Sequence, residues 1–205
     1  MIDPETEPEL EPDQPELTAE MADNMIPLFD SMALAVSEFG ADNYDPASTD
    51  YVWYSLYLAI MNYAEEGPNG ISYSNDYLYK YAPASVVLDY ASGMFAGMTK
   101  LPVIPDSQSS HVVYLSDKDY YQFTSSDRGA SFTIVTGITA EDDGTYLVDT
   151  SMRTHSDENT YVVHGDYTFR VKPNSSDSGD TKLNLPYVIT ELIKVTAYEH
   201  KVITE

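Results

Sequence analysis

Residues 160–172, TYVVHGDYTFRVK, decide the fold. Their period is two. Tyr161, Val163, Tyr167, Phe169 and Val171 fall on one side, and His164, Asp166, Thr168, Arg170 and Lys172 on the other. A strand with one apolar and one wet face belongs to an antiparallel sheet covered on one side only. Working outward, strands are expected at 111–115, 120–125, 131–139, 145–153 and 187–197. Turn-forming clusters separate them: SDKD at 116–119, SSDRG at 125–129, EDDG at 141–144, SDEN at 156–159 and PNSSDSGD at 173–180.

Before residue 110 the apolar period is 3.6. Met25, Leu28, Phe29, Met32, Val36 and Phe39 predict a helix over 24–39, capped by Asp23 or Asn24, with Gly40 just past its end. Pro27 is tolerated only in a first turn. Trp53, Leu56, Tyr57, Ile60, Met61 and Ala64 predict a second helix over 50–66, capped by Ser48 or Thr49 and stopped by Gly67-Pro68. Trp53, the single Trp, sits on the buried stripe and is expected between this helix and the sheet. A third helix starts at Pro83 or Ala84 and ends near Met98. Its Gly93 and Gly97 either allow a close approach or are small residues tolerated near a helix end. Residues 71–82, ISYSNDYLYKYA, fit either period and stay open between helix and strand.

The expected architecture is therefore α+β: N-terminal helices packed on one face of a curved antiparallel β-meander sheet. One domain spans 21–200, with a helical half at 21–110 and a strand half at 111–200. No internal repeat is visible.

Helices first, then a meander with long middle strands ending in YVITELIKV, resemble the nuclear-transport-factor-2-like (cystatin-like) α+β roll. More narrowly, 71–195 resembles modules in surface lipoproteins of Gram-positive gut bacteria. The residues that carry this are Tyr81-Ala82-Pro83 before a helix, Met94-Phe95-Ala96-Gly97 near its end, VVYLSDKDYYQF and DDGTYLV. The resemblance implies a fold and a surface setting, and it assigns no functional residue.

The setting is also read from MIDPETEPELEPDQPELTAE at 1–20. Eight acids alternate with Pro4, Pro8, Pro12 and Pro15, and no base interrupts them. Proline removes backbone donors and like charges repel, so this stretch is expected to be a flexible, extended spacer. A body held on such a spacer suits an extracellular or cell-surface place, secreted or lipid-anchored, with a membrane tether upstream of residue 1. An acidic tail on a cytoplasmic protein reads the same way. No apolar run reaches the ~20 residues that span a bilayer.

The formal charge is −24, and the excess is spread along the chain: 21–110 carries eleven acids against Lys80 and Lys100, and 111–205 fifteen acids against eight bases. A field of this sign repels nucleic acid and anionic lipid. There is no Cys among the 205 residues, which removes disulfides and thiolate chemistry.

Motifs for chemistry are sparse. No GxSxG, Walker loop or dinucleotide fingerprint occurs. His111, His155, His164 and His200 all read as solvated structural residues. Asp149 alternates away from Tyr146, Val148 and Met152 only imperfectly, which leaves it open as a pocket carboxylate. EDDGT at 141–145 and SSDSGD at 175–180 hold oxygens of the kind Ca²⁺ takes, but they miss the twelve-residue loop pattern and are ordinary turn residues. Tyr51, Tyr54, Tyr73, Tyr77, Tyr79, Tyr81, Tyr120 and Tyr121 either present aromatic platforms for a sugar or protein, or bury their rings and point their hydroxyls at water. No catalytic, cofactor or metal residue is assigned. The expected function is a non-enzymatic surface module that binds a protein, peptide or glycan; the alternative is a small-molecule or enzymatic roll with an isomerase- or dehydratase-like pocket.

Overall fold

A computed structural model describes residues 16–39, 45–67, 69–125, 129–157, 159–174 and 185–204. The helical half holds α1 (Ala19–Asn24), α2 (Ile26–Phe39), α3 (Thr49–Tyr63) and α4 (Ala84–Met94). The one helix expected over 24–39 is two. A continuous helix would drive the Pro27 ring into the carbonyl of Asp23, so the chain breaks at Met25 and Pro27 enters in the first turn of α2. Thr18 is the N-cap of α1, its side chain accepting from the Met21 N–H at 3.2 Å, and Asp23 and Asn24, expected as caps, lie inside α1. Ser48 caps α3 as expected. Gly40 lies outside the described residues.

Residues 71–82 are resolved as strand. β1 (Ser72–Tyr73) and β2 (Tyr79–Pro83) form a hairpin. The six strands expected downstream all exist: β3 (Val112–Leu115), β4 (Tyr120–Thr124), β5 (Ser131–Ala140), β6 (Tyr146–Asp157), β7 (Thr160–Pro173) and β8 (Tyr187–Thr204). They do not form one meander. β4 carries β3 on one edge and β2 on the other, which leaves β5 no edge to join. Two antiparallel four-stranded sheets result, in the orders β1-β2-β4-β3 and β5-β6-β7-β8. The α+β class stands, with helices packed against a sheet.

The helices meet the large sheet directly. Phe29 of α2 stacks on Phe169 of β7 with ring centroids 4.8 Å apart, among Met32, Val148, Met152, Val171 and Leu192. Gly93 of α4 makes a close approach: a Cβ there would lie 2.5 Å from Leu185 Cδ1. Gly97 instead serves a turn at φ +84. Trp53 is wholly buried, its ring 5.1 Å from Tyr121 of the small sheet and its indole N–H donating to the Pro102 carbonyl at 3.1 Å.

Two buried charged side chains tie layers together. Asp30 of α2 accepts from Tyr63 of α3 at 2.8 Å and Thr133 of β5 at 2.7 Å. Lys80 of β2 donates at 2.8 Å to the carbonyls of Ile60, Met61 and Ala64, so an ammonium satisfies the last turn of α3 where the helix dipole is negative. That contact accompanies the end of α3 at Tyr63, short of the expected Glu66.

Of the expected spacer, residues 1–15 lie outside the described residues. Leu17 is buried in the core, and Ala19 and Glu20 open α1. At the other end β8 continues through Thr204.

Candidate functional site

The outward face of the large sheet, opposite the helices, contains a hollow of about 450 Å³. That volume falls within the range of small-molecule sites, about 300–1,000 Å³. Its position follows from irregularities in the ladder. Across a sheet, paired residues share a face, so an extra residue in one strand flips everything beyond it. Thr136 is extra between Val135 and Gly137 of β5. His164 is extra on β7, because Met152 pairs with Gly165 while the next residue, Arg153, pairs with Val163. On β8 the three residues 198–200 stand opposite the single residue 164 of β7, since Gly165 pairs with Ala197 and Val163 with Lys201.

The bulges re-aim side chains. Val163 and Tyr161, which the sequence places with Tyr167 and Phe169, share a face with Arg153, Lys201 and Ile203 instead. Asp149, Ser151, Asp166, Thr168 and Lys194 join that face from the regular part of the ladder. Three of the chain's ten basic residues, Arg153, Lys194 and Lys201, thus line one hollow beside two carboxylates.

The groups are held by one another. Asp166 accepts from the Tyr198 hydroxyl at 2.7 Å and from Lys201 Nζ at 3.0 Å, and that Nζ lies 4.1 Å above the Tyr198 ring. Burial works to raise the Asp166 carboxyl. Hydrogen bonds from Tyr198, Lys201 and Ser151, with the Lys201 charge, outweigh it and hold the pKa below the usual carboxylate value. Lys201 in turn is raised, chiefly by its hydrogen bond to Asp166. Asp149 accepts from Thr168 Oγ1 at 2.6 Å. Arg153, only 8% exposed, donates from Nε to Ser151 at 3.3 Å. Lys194 is exposed beside them. The arrangement offers ammonium and guanidinium donors, carboxylate acceptors and hydroxyls that do both, beside partly exposed Ile203, with Val163 buried beneath.

The residues weighed from sequence are scattered. Asp149 does line a hollow, on the outward face of the sheet rather than between sheet and helices. His164 is exposed with its ring 2.6 Å from Thr154 Oγ1. His155 is exposed and stacks near Phe132 and Tyr161. His111 is half-buried against Tyr54 and Tyr57. The His200 side chain lies outside the described residues. In the 141–145 turn, Asp143 accepts from the Thr145 N–H and hydroxyl, and Glu141 accepts from Arg170 at 2.9 Å, so local partners take up these oxygens. SSDSGD at 175–180 lies outside the described residues. No group of three or more His, Asp or Glu among the described residues could hold a metal ion. The eight tyrosines weighed from sequence divide: Tyr51 and Tyr121 are buried, Tyr77 is 71% exposed at the tip of the β1–β2 hairpin, and Tyr54, Tyr73, Tyr79, Tyr81 and Tyr120 are half-buried.

Sequence reasoning missed Ser151, Arg153, Asp166, Lys194 and Lys201 as one cluster. The available signal was Gly137 and Gly165, each inside a strand pattern, since an isolated strand glycine marks a bulge. The chain matches no family model, no curated protein and no solved structure.

Proposed function

We propose that this chain is a non-enzymatic, extracytoplasmic binding module whose ligand seat is the hollow on the outward face of the large sheet. The observation that carries the reading is the contrast between the sheet's two faces. On the inner face, where a roll enzyme would keep a pocket, Phe29 lies directly on Phe169 within a continuous apolar cluster. On the outer face the bulges gather donors and acceptors around open space. The surface setting, as a secreted or lipoprotein module, is supported by the acidic Pro/Glu-rich stretch at 1–15. Among the described residues no helix is long and apolar enough to cross a membrane. The −24 charge disfavours nucleic acid as partner.

The test applies the wild-type chain and Lys194→Glu to arrays of peptides and glycans. Signals that Lys194→Glu removes while the melting temperature holds support the reading. Signals indifferent to Lys194, or turnover of a small-molecule substrate, contradict it.

A further inference from the structure

The hollow's chemistry narrows the ligand. Its lining mixes signs: Arg153, Lys194 and Lys201 stand among Asp149 and Asp166, with the hydroxyls of Thr136, Ser151 and Thr168 between them. A polyanion would meet two carboxylates and the field of a −24 protein. A polycation would meet three bases. An extended peptide gains its affinity by pairing its main chain with a sheet edge. Here the floor is the face of the sheet rather than an edge, and away from the bulges β6–β7 and β7–β8 pairing occupies the backbone donors and acceptors.

The hollow instead presents side-chain donors and acceptors of both kinds, close together and ordered by their mutual hydrogen bonds. A sugar hydroxyl donates one proton and accepts on two lone pairs, so adjacent hydroxyls can bond a carboxylate and an ammonium at once. Partly exposed Ile203 offers an apolar contact for the C–H face of a pyranose ring. Arg153, held by Ser151 and more than nine-tenths buried, is pre-ordered for such contacts.

Resting on the binding-module reading, we infer that the hollow binds a neutral saccharide. Asp166 and Asp149 accept from ring hydroxyls, Lys194 and Arg153 donate to hydroxyl or ring oxygens, and Thr168 contributes to both directions.

The experiment is calorimetric titration of the full chain with xylotetraose, cellotetraose and maltotetraose, with tetragalacturonate and tetraglutamate as charged comparisons. At least one neutral oligosaccharide is expected to bind, and tetraglutamate is not. Thr168→Val and Asp166→Ala should each weaken that binding at least tenfold. Thr168→Val removes a single hydroxyl, so it keeps the test valid if Asp166→Ala fails to fold. The inference is overturned if no neutral oligosaccharide binds, if tetragalacturonate or tetraglutamate binds more tightly than all of them, or if both folded variants bind as the wild type does. Peptide ligands on the arrays that depend on Lys194, with no saccharide binding, would sink this inference and leave the module reading standing. Silence at the hollow in both experiments would sink both.

Discussion

Lys80 lies in YLYKYA, within the segment whose period stayed open between helix and strand. A lysine is ordinarily exposed. Lys80 is buried instead, and its ammonium closes the C-terminus of α3 through three carbonyls. Lys80→Met should destabilise the fold by about 2–4 kcal/mol, because those carbonyls lose their donor; chemical denaturation measures it. Burial pushes the Lys80 pKa down to about 8. The unfolded chain then holds the extra proton between about pH 8 and 10.5, so this residue's contribution to stability rises with pH across that window. The three carbonyls favour the ammonium and oppose that shift. The rise should vanish in Lys80→Met. Trp53 was legible, since a lone Trp on an apolar stripe has one sensible place. Trp53→Ala should cost about 3–5 kcal/mol, read from the same denaturation curves.

At the scale of elements, the strands were legible because alternation and turn chemistry agree along 111–204. The bulges were not, because the apolar alternation of Tyr161, Val163 and Tyr167 runs on through an extra residue as if nothing had happened. Only pairing with β6 and β8 reveals the flip, and pairing is a tertiary fact. The break between α1 and α2 was half legible: Pro27 was recognised as a first-turn residue, but not as proof that a separate helix precedes it. The second sheet was hidden for the same reason, since the ambiguous 71–82 proved to be the strand that takes the second edge of β4. Gly165 gives the sharpest test of the bulge. A Cβ there would sit 2.8 Å from Tyr167 Oη, and Tyr167 is itself buried. Gly165→Ala should lower stability by about 1–3 kcal/mol and reshape the hollow, whereas the same change at Gly144, which has open space but φ +80, should cost only the backbone strain of about 1 kcal/mol. Paired thermal melts compare them.

For the whole molecule, the abundance of tyrosine makes stability sensitive to alkali. Burial, with Glu65 near Tyr90 and with Asp30 and Asp166 near Tyr167, pushes both phenols up to about 12. Their unfolded value is about 10, so the folded state keeps protons that the unfolded chain has lost. This stability is complete below pH 10 and disappears as pH climbs through 12, at about 2–3 kcal/mol for each group. The melting temperature should therefore fall steeply between pH 10 and 12, together with the appearance of phenolate absorbance. Deleting residues 1–15 should move it by no more than ~2 °C, since their Pro/Glu pattern offers no apolar face to bury. Extending the cut through residue 20 removes buried Leu17 and the Thr18 cap and should cost several degrees more.

The most direct measurement maps backbone-amide chemical shifts of the labelled full chain as a binding oligosaccharide is added. Changes should concentrate at 149–153, 163–168 and 194–203, with α2, α3 and α4 silent. Changes centred on the helix–sheet interior around Asp30, Phe29 and Phe169 would contradict an outward-facing site and point to a pocket between the helices and the large sheet.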